Sequence, residues 1–200
     1  MQILKQKRLF HKREFEILES KLYYREKTIG KSDSDVKIPF EELSSHKSIR
    51  TTSSVVYLWC FLGAFFLGLI AFSSRNDKDT DPDTWIVFAL LGFAALIAFF
   101  INQENSWKIK VTNGTFVFLY KNKPNEKEVN EFIDNLFLAR NKYLRETYMK
   151  FDRNLNYEDL YKDLKWLRYV EAITKEEFDD KYDELKKVFK YDKKTIGFDR

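Results

Sequence analysis

Four aspartates at alternate positions, Asp77, Asp79, Asp81 and Asp83, stand in the segment SSRNDKDTDPDT, residues 73–84. Carboxylates so spaced are the raw material of a calcium loop, in which oxygen ligands wrap a cation around a glycine turn and close on a bidentate glutamate. Counted from Asp77, the sixth position is Pro82 and the twelfth is Phe88, so the glycine and the closing acid are both missing. The aspartates read instead as solvated groups of a short turn. Other chemistry fares no better. His11 and His46, the two histidines, belong to no ligand-spaced cluster, and the one cysteine, Cys60, supplies no zinc set. The pairs Glu41-Glu42, Glu176-Glu177 and Asp179-Asp180 are adjacent, and helical neighbours diverge by about 100 degrees, so they do not face one substrate. There is no phosphate loop and no glycine-rich dinucleotide turn. The expectation is a chain with no catalytic residue, no cofactor and no metal.

The elements around the aspartates explain them better. VVYLWCFLGAFFLGLIAF (Val55 to Phe72) and WIVFALLGFAALIAFFI (Trp85 to Ile101) contain no charged side chain. At 1.5 Å per residue each extends roughly 26 Å, close to the thickness of a bilayer core. Helices apolar on every face need either a large core or lipid, and 200 residues of which 33% are charged offer no such core. Residues 55–72 and 85–101 are therefore expected to be transmembrane helices, with 73–84 an acidic loop between them. Tyr57, Trp59, Trp85 and Trp107 lie at or just beyond the ends of the runs, where amphipathic rings favour the headgroup zone. The first twenty residues hold no apolar signal-peptide region, so the first helix is expected to remain in the protein as an anchor.

Charge sets the expected orientation. Residues 1–54 carry twelve basic against eight acidic side chains, whereas the loop carries only Arg75 and Lys78 against its four aspartates. By the bias toward cytoplasmic lysine and arginine, both termini are expected on the cytoplasmic side of a bacterial inner membrane and the loop outside. Between the helices a seam of small residues is expected, with Ala64, Gly68 and Ala71 on the first and Ala94 and Ala98 on the second, Gly92 and Ala95 lying nearby. The same seam could serve another protomer. No ionisable side chain lies within either span, which disfavours a transporter or proton path. Cys60 reads as a small hydrophobe.

The remainder is polar and mixed. Before the apolar pair, Phe15 and Ile17, Leu22 and Tyr24, and Val36, Ile38 and Phe40 alternate as strands do. After it, Trp107, Ile109 and Val111 alternate up to Asn113-Gly114, and Phe116, Phe118 and Tyr120 resume, a strong hairpin signal. The strands are thus split in sequence by the apolar pair, and the two halves are expected to pair into one sheet. A helix opens near Pro124 and runs to about Met149, with Val129, Phe132, Ile133, Leu136, Arg140, Tyr143 and Leu144 at three- and four-residue spacing. The sequon at Asn113 reads as turn chemistry on this topology.

This order of parts, short strands, the IPFEEL segment, an Asn-Gly hairpin and a long amphipathic helix, resembles bacterial pleckstrin-homology-like domains over residues 10–50 and 105–149, interrupted here by the apolar pair. The resemblance implies a scaffold that binds lipid headgroups, peptides or proteins. Residues 1–54 and 102–149 would be its two halves.

Residues 155–190 carry a second resemblance. Leu160, Leu164 and Leu167 form one stripe, Thr174 to Glu177 reads as a capping box, and Phe178, Tyr182 and Leu185 form the next stripe. Ile173, Thr174, Glu176, Glu177, Phe178, Lys181 and Leu185 resemble the short C-terminal domain family. The glycine usual before Ile-Thr is replaced by Glu171-Ala172. The resemblance implies a docking or self-association module, whose apolar stripes are the candidate docking face. A helical tail folded back on its own domain is the other reading of the same stripes.

The expected fold class is an α+β membrane protein, a small antiparallel sheet domain interrupted by a transmembrane hairpin and followed by a helical hairpin. The expected function is a non-enzymatic membrane-tethered scaffold, with membrane lipids and a protein partner or further copies as its partners. A pore-forming or membrane-stress effector, or an accessory subunit of a larger complex, are the alternatives. A formal charge of +4 without a basic stripe speaks against nucleic acid, and no small-molecule substrate is indicated.

Overall fold

The computed structural model describes residues 2–8, 11–28, 30, 32–74, 81, 83–151 and 155–189. It is an α+β structure with two antiparallel sheets and five helices among those residues. The chain divides into two compact units. One is built from residues 1–48 and 107–200, the other from the intervening residues 49–106.

In the first unit, β1 (Gln2–Arg8), β2 (His11–Ile17), β3 (Lys21–Thr28) and β4 (Ser34–Pro39) form a meander in that order. The register sets Leu4 opposite Phe15, Phe15 opposite Tyr24, and Leu22 opposite Ile38. Because side chains alternate along a strand, these residues share the face that is buried, and the intervening residues are mostly charged and outward. A short 3-10 turn, Phe40–Glu42, buries Phe40 and leads into β5 (Leu43–Thr52). The second sheet has the order β5, β6 (Glu104–Val111), β7 (Phe116–Tyr120).

The expected single sheet is therefore corrected to two. β1 to β4 pair only among themselves, and β5 alone of the earlier strands joins the later hairpin. Two strands escaped the alternation test for a physical reason. β1 has Gln6 at an inward position after Leu4, and β5 buries only Leu43 before running on in residues that are polar apart from the exposed Ile49. Gln6 replaces apolar packing with pairing: its amide accepts from Tyr120 N (2.8 Å) and donates to Tyr120 O (2.9 Å), so one side chain completes the edge of β7.

The β6–β7 turn follows its sequence signal. Gly114 has φ +84°, Asn113 Oδ1 accepts from Thr115 N at 2.9 Å, and Gly114 N donates to Val111 O. Helix α3 (Glu126–Tyr148) begins at Asn125, whose side chain accepts from Glu128 N. Its Val129, Phe132, Ile133 and Leu136 close over Phe15, Leu22, Phe40, Ile109 and Leu119 in one core. Helices α4 (Tyr157–Tyr169) and α5 (Lys175–Val188) complete the unit.

The second unit holds α1 (Val55–Ser73) and α2 (Thr84–Asn102), each within one residue of the expected limits. They pack side by side and antiparallel: Phe72 near the end of α1 meets Trp85 near the start of α2, ring centroids 5.6 Å apart. Both are long and apolar enough to cross a membrane. The loop aspartates Asp77 and Asp79, with Arg75, Lys78 and Pro82, lie outside the described residues.

Candidate functional site

Three regions compete as the working part of the molecule. The first is the surface of the second unit. No residue of α1 is buried and Gly92 is the single buried residue of α2, so Trp59, Phe66, Ile70, Leu90, Phe93 and Phe100 all stand outward, 61–68% exposed. Two helices this apolar on every face are compatible with insertion in a membrane.

The seam inside the pair differs in part from the spacing prediction. Ala64, Gly68 and Ala71 of α1 do face inward. A Cβ at Gly68 would meet Phe88 Cβ at 3.4 Å, and one at Gly92 would meet Phe61 Cδ2 at 3.5 Å and Ala64 Cβ at 3.6 Å. On α2 the seam runs through Phe88, Gly92 and Ala95, with Ala98 half-buried beside it, whereas Ala94 is exposed. Residues 94 and 92 lie about 200 degrees apart around a helix, so both cannot face one neighbour. Small size alone did not separate them; the position of Gly92 does.

The second region is the tail. Leu160, Leu164, Leu167, Phe178 and Leu185 are buried and Tyr182 is half-buried. Leu164, Leu167 and Phe178 share a cluster with Ala172, Ile173 and Leu144 of α3, Tyr182 packing against it. The stripes thus have an occupant in this same chain, and the tail is folded back on α3. Its placement is fixed by polar groups as well. The Arg140 guanidinium, buried on α3, donates from Nε to Leu43 O (2.7 Å), from Nη1 to Asn141 Oδ1 (2.7 Å) and from Nη2 to Val170 O (3.2 Å). Burial lowers its pKa, opposed by the charge of Glu171. Arg145 donates to Ala172 O (2.8 Å) and pairs with Glu177 (3.0 Å).

The turn between α4 and α5 keeps the geometry that a glycine would favour. Glu171 has φ 57°, and Ala172 N donates to Leu167 O at 2.9 Å, the left-handed helix stop. A side chain in that conformation carries strain of about 1 kcal/mol. Its carboxylate is held from outside the turn: Ser45 Oγ donates to Glu171 Oε2 at 2.9 Å and His46 Nε2 lies 2.9 Å from the same oxygen. These contacts, the Ser45 hydroxyl foremost, hold the Glu171 carboxyl below the usual glutamate range. The capping box is present, Thr174 Oγ1 accepting from Glu177 N (3.2 Å) and Glu177 Oε2 from Thr174 N (2.9 Å).

The third region is an open groove of about 1280 Å³ between the β2–β3 turn and the second half of α3. Ile17, Leu18, Ala139 and Tyr143 line it with apolar surface, and Glu19, Lys21, Lys142, Glu146 and Lys150 with charges of both signs. Tyr143 is fixed by Glu41, which accepts from its hydroxyl at 3.1 Å and from Tyr148 at 3.4 Å. Burial, with these bonds to a carboxylate, raises the pKa of both tyrosines.

Among the described residues no group of three or more His, Cys, Asp or Glu is placed to hold a metal ion. His11 and His46 sit apart, on β2 and β5, the first against Thr28 and the second against Glu171. Sequence reasoning passed over Arg140 as one more member of an apolar stripe, although a lone arginine among Leu136 and Leu144 is itself a signal of buried hydrogen bonding. Comparison of the chain with family models, with curated proteins and with solved structures finds no match.

Proposed function

We propose that this protein is a non-enzymatic, membrane-tethered docking platform: α1 and α2 cross a bacterial inner membrane as a hairpin, both termini lie in the cytoplasm, and the first unit recruits a protein partner or further copies of the chain. The observation that carries the reading is the pair of consecutive 19-residue apolar helices whose outer faces stay exposed among the described residues, set in sequence between the two parts of a charged, folded unit. Lipid is the partner that satisfies every exposed apolar side chain of such a pair at once. Seven strands in two antiparallel sheets, among the described residues, ahead of amphipathic α3 support the pleckstrin-homology-like reading of that unit. The capped α4–α5 pair supports the short C-terminal domain reading. Because the tail stripes are filled by Leu144 and its neighbours, recruitment falls to the outer surfaces of the unit, the groove beside α3 included.

The experiment is impermeant thiol labelling of intact cells, in a Cys60→Ser background, with single cysteines at Ser74 and at Lys187 on α5. The expected result is labelling at position 74 alone, and extraction of the chain only by detergent. Labelling of both positions from outside, or a chain freely soluble without detergent, would overturn the proposal.

A further inference from the structure

The outer face of the first sheet carries a charge pattern that the sheet itself does not balance. Register places Lys7 of β1 directly opposite Lys12 of β2, and Lys12 directly opposite Lys27 of β3, a row of three ammonium groups across three adjacent strands. Like charges at directly paired positions destabilise a sheet. The next row shows the self-sufficient alternative: Lys5, Glu14, Arg25 and Asp35 lie in line across four strands with alternating sign, Lys5 Nζ 3.1 Å from Glu14 Oε1.

Asp33 is the one acid that reaches the lysine row among the described residues, and it is shared. Its Oδ2 lies 2.6 Å from Lys27 Nζ and 3.0 Å from Arg25 Nη2. Lys7 and Lys12 are exposed and make no ion pair among the described residues. Around the two rows, Lys5, Lys7, Lys12, Arg25 and Lys27 outnumber Glu14, Asp33 and Asp35 by two charges, and these cations border a cavity of about 360 Å³. Its other lining side chains are held in place: Gln6 by Tyr120, and Arg13 by Glu26 at 3.1 Å.

We propose that this face binds a polyvalent oxyanion of the phosphoryl class, with Lys7, Lys12 and Lys27 as its ligands and Lys5 and Arg25 at its margin. Neighbouring strands are about 4.8 Å apart, so ammonium groups on flexible stems converge on one or two phosphoryl groups, each concentrating two or so charges at a point. Carboxylates on one side of an extended peptide recur about every 7 Å, out of step with that spacing. Lysine binds phosphoryl groups as a compact point charge and needs no planar fork to do so. The site lies wholly in the first unit, and the inference does not rest on the membrane reading of α1 and α2.

The test is equilibrium binding of inorganic pyrophosphate to the full chain in phosphatidylcholine nanodiscs, against sodium chloride of equal ionic strength and against tetraglutamate. Saturable pyrophosphate binding is expected, about tenfold weaker or more in Lys12→Gln. It should be unchanged in Lys37→Gln, whose lysine shares the sheet face but stands opposite Tyr23 in another row. Lys12→Gln should melt no lower than the parent without ligand, since it removes repulsion. Nanodiscs containing phosphatidylglycerol then assign the source: weakened pyrophosphate binding means that a lipid headgroup fills the site, and unchanged binding means a soluble phosphate ester. No binding above the chloride control, equal binding by Lys12→Gln, or tighter binding of tetraglutamate would overturn the proposal.

Discussion

Two helical pairs sit in this chain, and they solve opposite problems. In α4–α5 the apolar residues form one stripe per helix, and that stripe is buried with Leu144 while Glu158, Lys162, Asp179 and Lys187 stand in solvent or at its edge. In α1–α2 the apolar residues go all the way round, and burial within the chain reaches only Gly92 fully. Equal hydrophobicity of a single residue therefore means different things in the two places. A leucine in the tail is held by its own chain, whereas a leucine in α1 is held by whatever surrounds the molecule.

The largest expected effect exposes that difference directly. Leu164→Ala removes a fully buried side chain from the tail cluster, and the first unit should lose about 2–5 kcal/mol of stability in urea unfolding. The same change at Leu69, 50% exposed on α1, should leave that transition within about 0.5 kcal/mol. Equal losses at the two sites would break the contrast, and would mean that α1 is packed in a core after all.

A smaller effect should sharpen the account of the seam. Gly92→Leu forces a branched side chain against Phe61 and Ala64, and overpacking of this kind costs about 1–3 kcal/mol. Ala94→Leu adds the same bulk on the outer face and should cost nothing measurable. Spin labels at Val56 and Ile101, in a Cys60→Ser background, read the pair in detergent. The distance distribution should broaden for Gly92→Leu and stay narrow for Ala94→Leu. Broadening by both would mean that the outer face, too, is packed.

What was legible in the sequence follows the same division. The charge-free runs announced α1 and α2 to within a residue, because length and the absence of charge need no partner to be read. The capping box and the stripes announced α4 and α5 for a similar reason, since both are local. What local pattern does not carry is who pairs with whom. β5 joins β6 and β7 across the whole apolar pair, and Gln6 finds Tyr120 more than a hundred residues away. The lysine row was hidden likewise. Lys7 and Lys12 look like scattered charges in KQKRLFHK until β1 and β2 are recognised as a hairpin, and β1 went unrecognised because Gln6 interrupts its apolar alternation. The tail stripes were visible but their occupant was not, because periodicity shows that a face needs cover and is silent on what covers it.

The smallest expected effect concerns the turn that holds the tail pair in place. Glu171 keeps a left-handed conformation while Ser45 and His46 hold its carboxylate, so its strain is offset by folded-state contacts that are stronger when it is ionised. Its folded pKa lies below the ordinary glutamate value of 4.5, so its contribution is fully present above that value and fades as the pH falls through the folded one. Glu171→Gln should therefore be slightly less stable than the parent at pH 7, with the difference closing as the pH is lowered from about 5 toward 3. Glu171→Gly relieves the strain but loses the same contacts, so it should close the same gap with pH from a different starting height. Thermal melts of the three proteins across that range decide the matter. A gap between the parent and Glu171→Gln that stays constant to pH 3 would mean that the carboxylate charge contributes nothing to docking, and that the turn is held by Arg140 and the buried leucines alone.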